Sequence, residues 1–168
     1  MSDGDPTASG RPRWRGQTRA SRLAGALVLL PVVLVIVRLG VGSVDPPVVG
    51  LVDGELAPCP TTDNCVESRA TDPRHAIEPL RCGGDLPAVI ELTQEALPRV
   101  RLIEHIGDHA HLEVRSRIVG FVDDLELQAV GDTVHVRSAS RLGNSDLGVN
   151  RDRIEVLRDA LQRAGVCE

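Results

Sequence analysis

The hydrophobic pattern of this 168-residue chain changes character along its length. It begins with an apolar run, Leu23 to Val37, interrupted only by Pro31 and followed by Arg38 and a weaker stretch from Leu39 to Val44. Residues 45–58 show no period and contain Pro46, Pro47, Gly50, Gly54 and Pro58, which reads as an extended linker. Asp85 can cap a helix in which Leu86, Val89, Ile90, Thr93 and Leu97 share one face, with Pro87 in the first turn and Pro98 as the stop. The period then falls to two. Gly107-Asp108, Val119-Gly120 and Gly131-Asp132 punctuate this region as two-residue hairpin turns, which predicts four consecutive strands. In the last helix Ile154, Leu157, Leu161 and Ala164 form a stripe. Asn150 is its expected N-cap, Val149 and Ile154 a hydrophobic staple, and Gly165 its end.

Three two-residue turns fix a register. Leu112 then pairs with Leu127, Val114 with Leu125, Ala110 with Ala129 and Leu127 with Val136 on one face. Arg115 pairs with Asp124, Glu126 with Arg137 and Glu104 with His111 on the other. One face is apolar and the other charged, as a sheet covered on one side requires. The expected fold is therefore α+β. It is a four-stranded antiparallel meander with two helices on one face, in the order α-β-β-β-β-α, preceded by one N-terminal transmembrane or signal segment.

Composition narrows the chemistry. Apolar residues make up 42% and aromatic residues 1%, so Val, Leu, Ile and Ala must build the core; Phe121 and Trp14 are the only aromatics. All nineteen basic residues are Arg, which excludes a Lys nucleophile or Schiff base. Residues 1–50 carry six Arg and three Asp, a balance of +3. The remainder carries thirteen Arg against twenty-one acidic residues, a balance of −8. An acidic domain argues against nucleic acid and against docking on anionic lipid.

Arg11, Arg13, Arg15, Arg19 and Arg22 precede the apolar run and are retained on the cytoplasmic side of a membrane. Residues 1–22 are thus expected to be a disordered cytoplasmic tail, residues 23–44 a single transmembrane anchor, and residues 59–168 an extracytoplasmic domain at the cell membrane. The alternative is a signal peptide cleaved near Val41-Gly42-Ser43, which would release the domain outside the cytoplasm. Outside the cytoplasm Cys59, Cys65, Cys82 and Cys167 read as two disulfides. Three pairings are possible. Cys59 and Cys65 are close in sequence, and the direction reversals bring Cys167 toward Cys82, which favours 59–65 with 82–167. Six-residue spacing is poor for a redox pair or a zinc knuckle.

Three stretches together resemble the domain of unknown function 1499 family. They are Cys59-Pro60 through Asn64-Cys65-Val66, Arg115-Ser116-Arg117 through Phe121-Val122-Asp123-Asp124, and His135 to Arg141 running into Ser145 to Arg151. His75 with Ile77, Pro79 and Leu80 is a weaker fourth match, and the resemblance spans residues 57 to about 163. It implies an exported or membrane-bound N-terminus and no established activity. Members usually have aromatics at the position of Asn144 and near His109 and Val114, and Cys82 and Cys167 are additional to the usual pair.

Arg137, Ser138, Ser140, Arg141, Asn144, Ser145, Asp146, Asn150 and Arg151 crowd the exit of the last strand and the start of the last helix. Arg side chains beside helix N–H groups make an anion site. Equally, Asp146 and the Ser hydroxyls can hold the loop, with Arg137 on Glu126 and Arg141 on Asp123 or Asp124. His105, Asp108, His109 and His111 suggest a metal at first sight. The register, however, leaves His111 and His135 about 10 Å apart, so solvated histidines are expected and no metal. No phosphate loop, dinucleotide fingerprint or nucleophile elbow is present, so no cofactor is expected. The resulting expectation is a non-enzymatic module of the cell envelope that binds a partner protein or a small anionic ligand. Arg115, Arg137, Ser138, Ser140, Arg141, Asp146, Asn150 and Arg151 are the candidate contacts. The alternatives are a hydrolase using His75, Asp146 and a Ser, and a purely structural assembly factor.

Overall fold

The computed structural model describes residues 30–33, 48–117 and 120–168. The chain divides into two compact units, residues 1–37 and 38–168. Of the first, residues 30–33 are helical. The expected tail over 1–22 and, apart from those four residues, the expected span over 23–44 lie outside the described residues. Among the described residues no helix is long and apolar enough to cross a membrane.

The second unit is α+β. Its elements are β1 (Leu51–Val52), β2 (Glu55–Leu56), β3 (Cys65–Glu67), β4 (Leu80–Arg81), α1 (Leu86–Ala96), β5 (Val100–Ile106), β6 (His109–Arg115), β7 (Val122–Val130), β8 (Thr133–Ser140) and α2 (Val149–Arg163). The meander β5-β6-β7-β8 is present and antiparallel throughout. The main sheet nevertheless has six strands rather than four, because β3 and β4 both pair with β8, and β1 and β2 form a separate hairpin. Those four additions are two or three residues long, too short to leave a periodic signature.

Helix α1 starts where the sequence places it. Asp85 accepts a hydrogen bond from Ala88 N, Pro87 sits in the first turn, and Leu86, Val89, Ile90 and Thr93 are buried. Just before it, Gly84 has φ +73°, and a Cβ there would lie 2.3 Å from the Gly131 carbonyl oxygen, so the turn can press against the β7–β8 hairpin only as glycine. Helix α2 buries Ile154, Leu157 and Leu161 against the same core, which the sheet supplies with Ala110, Leu112, Val114, Leu125, Leu127, Val134 and Val136. It ends at Gly165, with Val166 N bonded to Leu161 O and Gly165 N to Gln162 O. Disulfides join Cys59 to Cys65 and Cys82 to Cys167, the pairing favoured by the element directions.

Local details differ from the sequence reading. The β6–β7 connection is six residues long, Ser116 to Phe121, and closed by Ser116 N on Phe121 O and Phe121 N on Ser116 Oγ. Pairing therefore slips by two: Leu112 faces Leu125, and Arg115 faces Val122 rather than Asp124. A slip of two leaves every side chain on its expected face, because the strand period is two. A second irregularity lies between Leu102 and Glu104, where β5 bulges against β6. Asn150 is not the N-cap of α2. That position is Gly148, at φ +86°, while Asn150 lies inside the helix and is fully buried.

The largest departure concerns the linker. Residues 50–57 fold back over the charged face of the sheet, where Gly50 N donates to Glu126 Oε1 at 2.5 Å and Gln128 Nε2 donates to Gly54 O at 2.8 Å. Leu56 and Ala57 are buried there, outside the helix-side core. Residues Asp123–Gln128 of β7 are consequently buried on both faces.

Candidate functional site

The charged face is a network of internal pairs. Glu126 accepts from Arg137 Nη1 at 2.7 Å and His109 Nε2 at 3.2 Å, as well as from Gly50. Arg137 is 1% exposed and Glu126 is fully buried. Asp124, also fully buried, accepts from His111 Nε2 at 2.8 Å and from Arg141 Nε and Nη2 at 2.9 and 2.7 Å. Arg141 Nη2 reaches Glu113 at 2.8 Å, and Glu113 also accepts from Arg115 at 3.0 Å. His109 and His111 are thus inward-facing donors, not the solvated histidines expected, because the β1–β2 hairpin and the register enclose carboxylates opposite them. Among the described residues no cluster of three or more His, Cys, Asp or Glu is placed to hold a metal ion.

Burial pushes the Asp124 carboxyl up, but the His111 and Arg141 hydrogen bonds and the Arg141 charge outweigh it, leaving Asp124 below its ordinary value of 3.8. Glu113 is lowered from 4.5 by the same balance, with burial opposed by Arg141 and Arg115. Carboxyls held low stabilise the fold fully above their unfolded pKa and lose that contribution as pH falls through the lowered folded value. The thermal midpoint of wild type should accordingly exceed that of Asp124→Asn at pH 7, with the gap closing below about pH 4. A gap independent of pH would show that Asp124 acts through packing rather than charge.

On the helix side, at the end of the sheet, a second network surrounds Asn150. Its Oδ1 accepts from Ser138 Oγ at 2.8 Å, and its Nδ2 donates to Asn64 O at 2.9 Å and Ser140 Oγ at 3.0 Å. Arg153 bonds Asn150, Ser138 and Asp123. Asn64 Nδ2 holds the carbonyls of Ser140 and Gly143. Asn64, Glu113, Asp123 and Arg153 were absent from the candidate set; Asp123 and Arg153 carry a sequence signal only as charges on otherwise apolar core faces. Asp146 receives Gly148 N at 2.9 Å and Asn150 N at 2.8 Å, so this carboxylate satisfies the start of α2. Arg151 Nη2 donates to Arg74 O at 3.1 Å. All eight candidate residues are therefore brought to one end of the sheet or along its charged face, and each has an intramolecular partner.

The hydrolase set is not assembled. His75 lines one hollow, while Asp146, Ser140 and Ser145 line another of about 390 Å³. That second hollow is largely apolar, walled by Phe121, Val122, Leu142, Leu147 and Val149. It adjoins a hollow of about 350 Å³ that shares Ser116, Asp123 and Val149 and is bordered by Arg99, Arg115 and Arg117. Leu147 stands at the edge of this groove, 94% exposed, with φ +57°. The left-handed conformation costs a residue with a Cβ about 1–2 kcal/mol, and the bonds that the Asp146 carboxylate accepts from Gly148 N and Asn150 N, closing across Leu147, hold the turn in it.

A family model with the description "Protein of unknown function (DUF1499)" matches residues 55–161. No curated protein and no solved structure matches the chain.

Proposed function

The chain belongs to this family of proteins of unknown function, and from that premise we propose that it is an extracytoplasmic binding module, tethered to the cell membrane by residues 23–44, whose working surface is the groove at Leu147. The observation that carries this reading is a large apolar side chain, fully exposed, held out in a strained backbone conformation beside an apolar groove. Backbone strain of this kind persists where its surroundings enforce it, and apolar surface of this sort bordered by polar residues is what an interaction site covers.

The occupant that fits is an acidic segment of a partner protein bearing an apolar side chain. Arg99 and Arg117 are exposed around the groove, with Arg115, itself bonded to Glu113, beside them and Asp152 in the same wall, in a domain whose overall balance is strongly negative. The two disulfides support a location outside the cytoplasm, where such bonds persist. A small anion bound at Arg137 is less well supported, because that guanidinium already holds Glu126.

Leu147→Gly separates binding from folding. Gly accepts the left-handed conformation, so the variant should keep its thermal midpoint or gain by up to about 1 kcal/mol. Capture of membrane proteins on the tagged full-length chain should recover a partner with wild type. Recovery should be lost in Leu147→Gly and reduced in Arg115→Glu/Arg117→Glu. Equal recovery from all three would overturn the reading.

A further inference from the structure

A separate hollow of about 540 Å³ lies between the β1–β2 hairpin and the segment that follows β3, and it shares no wall residue with the Leu147 groove. Asp53, Glu55, Cys59, Glu67, Arg69 and His75 are in its walls. The Cys59–Cys65 bond ties its hairpin side to the start of β3. Two of these side chains are deeply set: Glu67 is 4% exposed and His75 5%.

Both present acceptors to the hollow. His75 Nδ1 lies 2.9 Å from the Cys65 carbonyl, which can only accept, so Nδ1 donates there and Nε2 is the ring nitrogen left to act as an acceptor when it carries no proton. Glu67 Oε1 accepts from Arg69 N at 2.7 Å. Among the described residues, Glu67 Oε2 and His75 Nε2 have no partner, and the only side-chain atom sealed from solvent without one is Arg137 Nε. Neither acceptor is therefore fully sealed from solvent, and both side chains line the hollow.

The charges that surround them leave a negative excess. Arg69 is committed to Gln128 at 3.1 Å and lies 3.7 Å from Glu55. Asp72, another wall residue, is bonded by Arg74, which holds it at about 2. Arg137, the cross-strand neighbour of Glu67, is paired with Glu126. Asp53 and Glu67 remain without a full counter-charge among the described residues. Burial also raises the Glu67 carboxyl above its ordinary 4.5, against the pull of Arg69 and Arg137. A cation in the hollow would oppose that penalty.

We propose that this hollow is a binding site for a small organic cation with N–H donors, a primary ammonium, received by Glu67 Oε2 and His75 Nε2 at the floor and by Asp53 at the mouth. Charge-assisted bonds to a buried carboxylate are the strong kind, and an acidic mouth concentrates cations.

The test is a thermal-shift titration of the full-length chain with 1,4-diaminobutane, 1,4-butanediol and succinate, at ionic strength matched with sodium chloride. The diamine alone should raise the midpoint, since a ligand that binds only the folded state stabilises it. Glu67→Gln and Asp53→Asn should each weaken the diamine at least ~10-fold. Asp53→Asn keeps the hairpin intact, because Asn tolerates the φ of +53° found there. No response to the diamine, a response to succinate, or an equal response in both variants would overturn the proposal. None of these outcomes bears on the Leu147 groove, whose walls are different.

Discussion

Arg137→Ala should destabilise the domain by about 3–5 kcal/mol, the effect expected when one partner of a buried ion pair is removed and the other charge is stranded. Glu126 is fully enclosed and would keep only Gly50 N and His109 Nε2 as donors. The comparison that isolates the charge is the double replacement Arg137→Met/Glu126→Leu, which removes both ions and keeps most of the volume. It should recover much of the loss, since a buried pair is often no better than well-packed apolar residues. The recovery should be incomplete, because Gly50 N and His109 would then lack their acceptor. Urea unfolding of wild type, both singles and the double gives the coupling directly. If Arg137→Ala cost less than about 1 kcal/mol, the pair would have to be far better solvated than its enclosure implies.

The second large effect belongs to the Cys82–Cys167 bond, which spans 85 residues and encloses nearly the whole sheet and both helices. On the chain-entropy account, opening a loop of that length removes about 4.6 kcal/mol, whereas the Cys59–Cys65 bond, with a separation of six, is worth about 2. Cys82→Ala/Cys167→Ala should therefore lower the urea midpoint about twice as far as Cys59→Ala/Cys65→Ala. The reverse order would mean that the short loop acts in the native state, by holding the β1–β2 hairpin down over Glu126 and Gln128.

What the sequence reveals follows the length over which a pattern repeats. Both helices are legible because an apolar stripe recurs over three turns or more and capping signals such as Asp85 and Gly165 bracket it. The β7–β8 pairing, Glu126 with Arg137 included, is legible from a two-residue turn. The loop after β6 misleads because Val119-Gly120 resembles a turn, while the closure by Ser116 and Phe121 depends on tertiary bonds. The covering hairpin is hidden for a different reason. Leu56 and Ala57 are an isolated apolar pair among Gly and Pro, and nothing in the alternation of charged residues along β7 says whether water or protein lies above them.

The candidate site was visible as composition and not as geometry. The Arg and Ser positions between Arg137 and Arg151 do converge, yet an Asn ahead of a helical stripe reads as a cap. Here Ser138, Ser140 and Asn64 draw Asn150 inward, and Asp146 takes over the helix start. Leu147 carries no sequence signal of exposure. Its position follows from a left-handed turn that those same Asp146 bonds impose.

The arrangement of strands at the two borders of the sheet limits how this domain can associate. On one side β8 is shared between β3 and β4, each only two or three residues long, so no continuous row of main-chain groups is left open there. On the other, β5 is interrupted by its bulge and carries the exposed charges of Arg101 and Glu104 within it. Neither border offers a second chain a flat template to extend, and short, charged or bulged edges are how sheet proteins resist end-to-end aggregation. Any association of this domain would therefore have to run through side chains rather than through main-chain pairing at a sheet border.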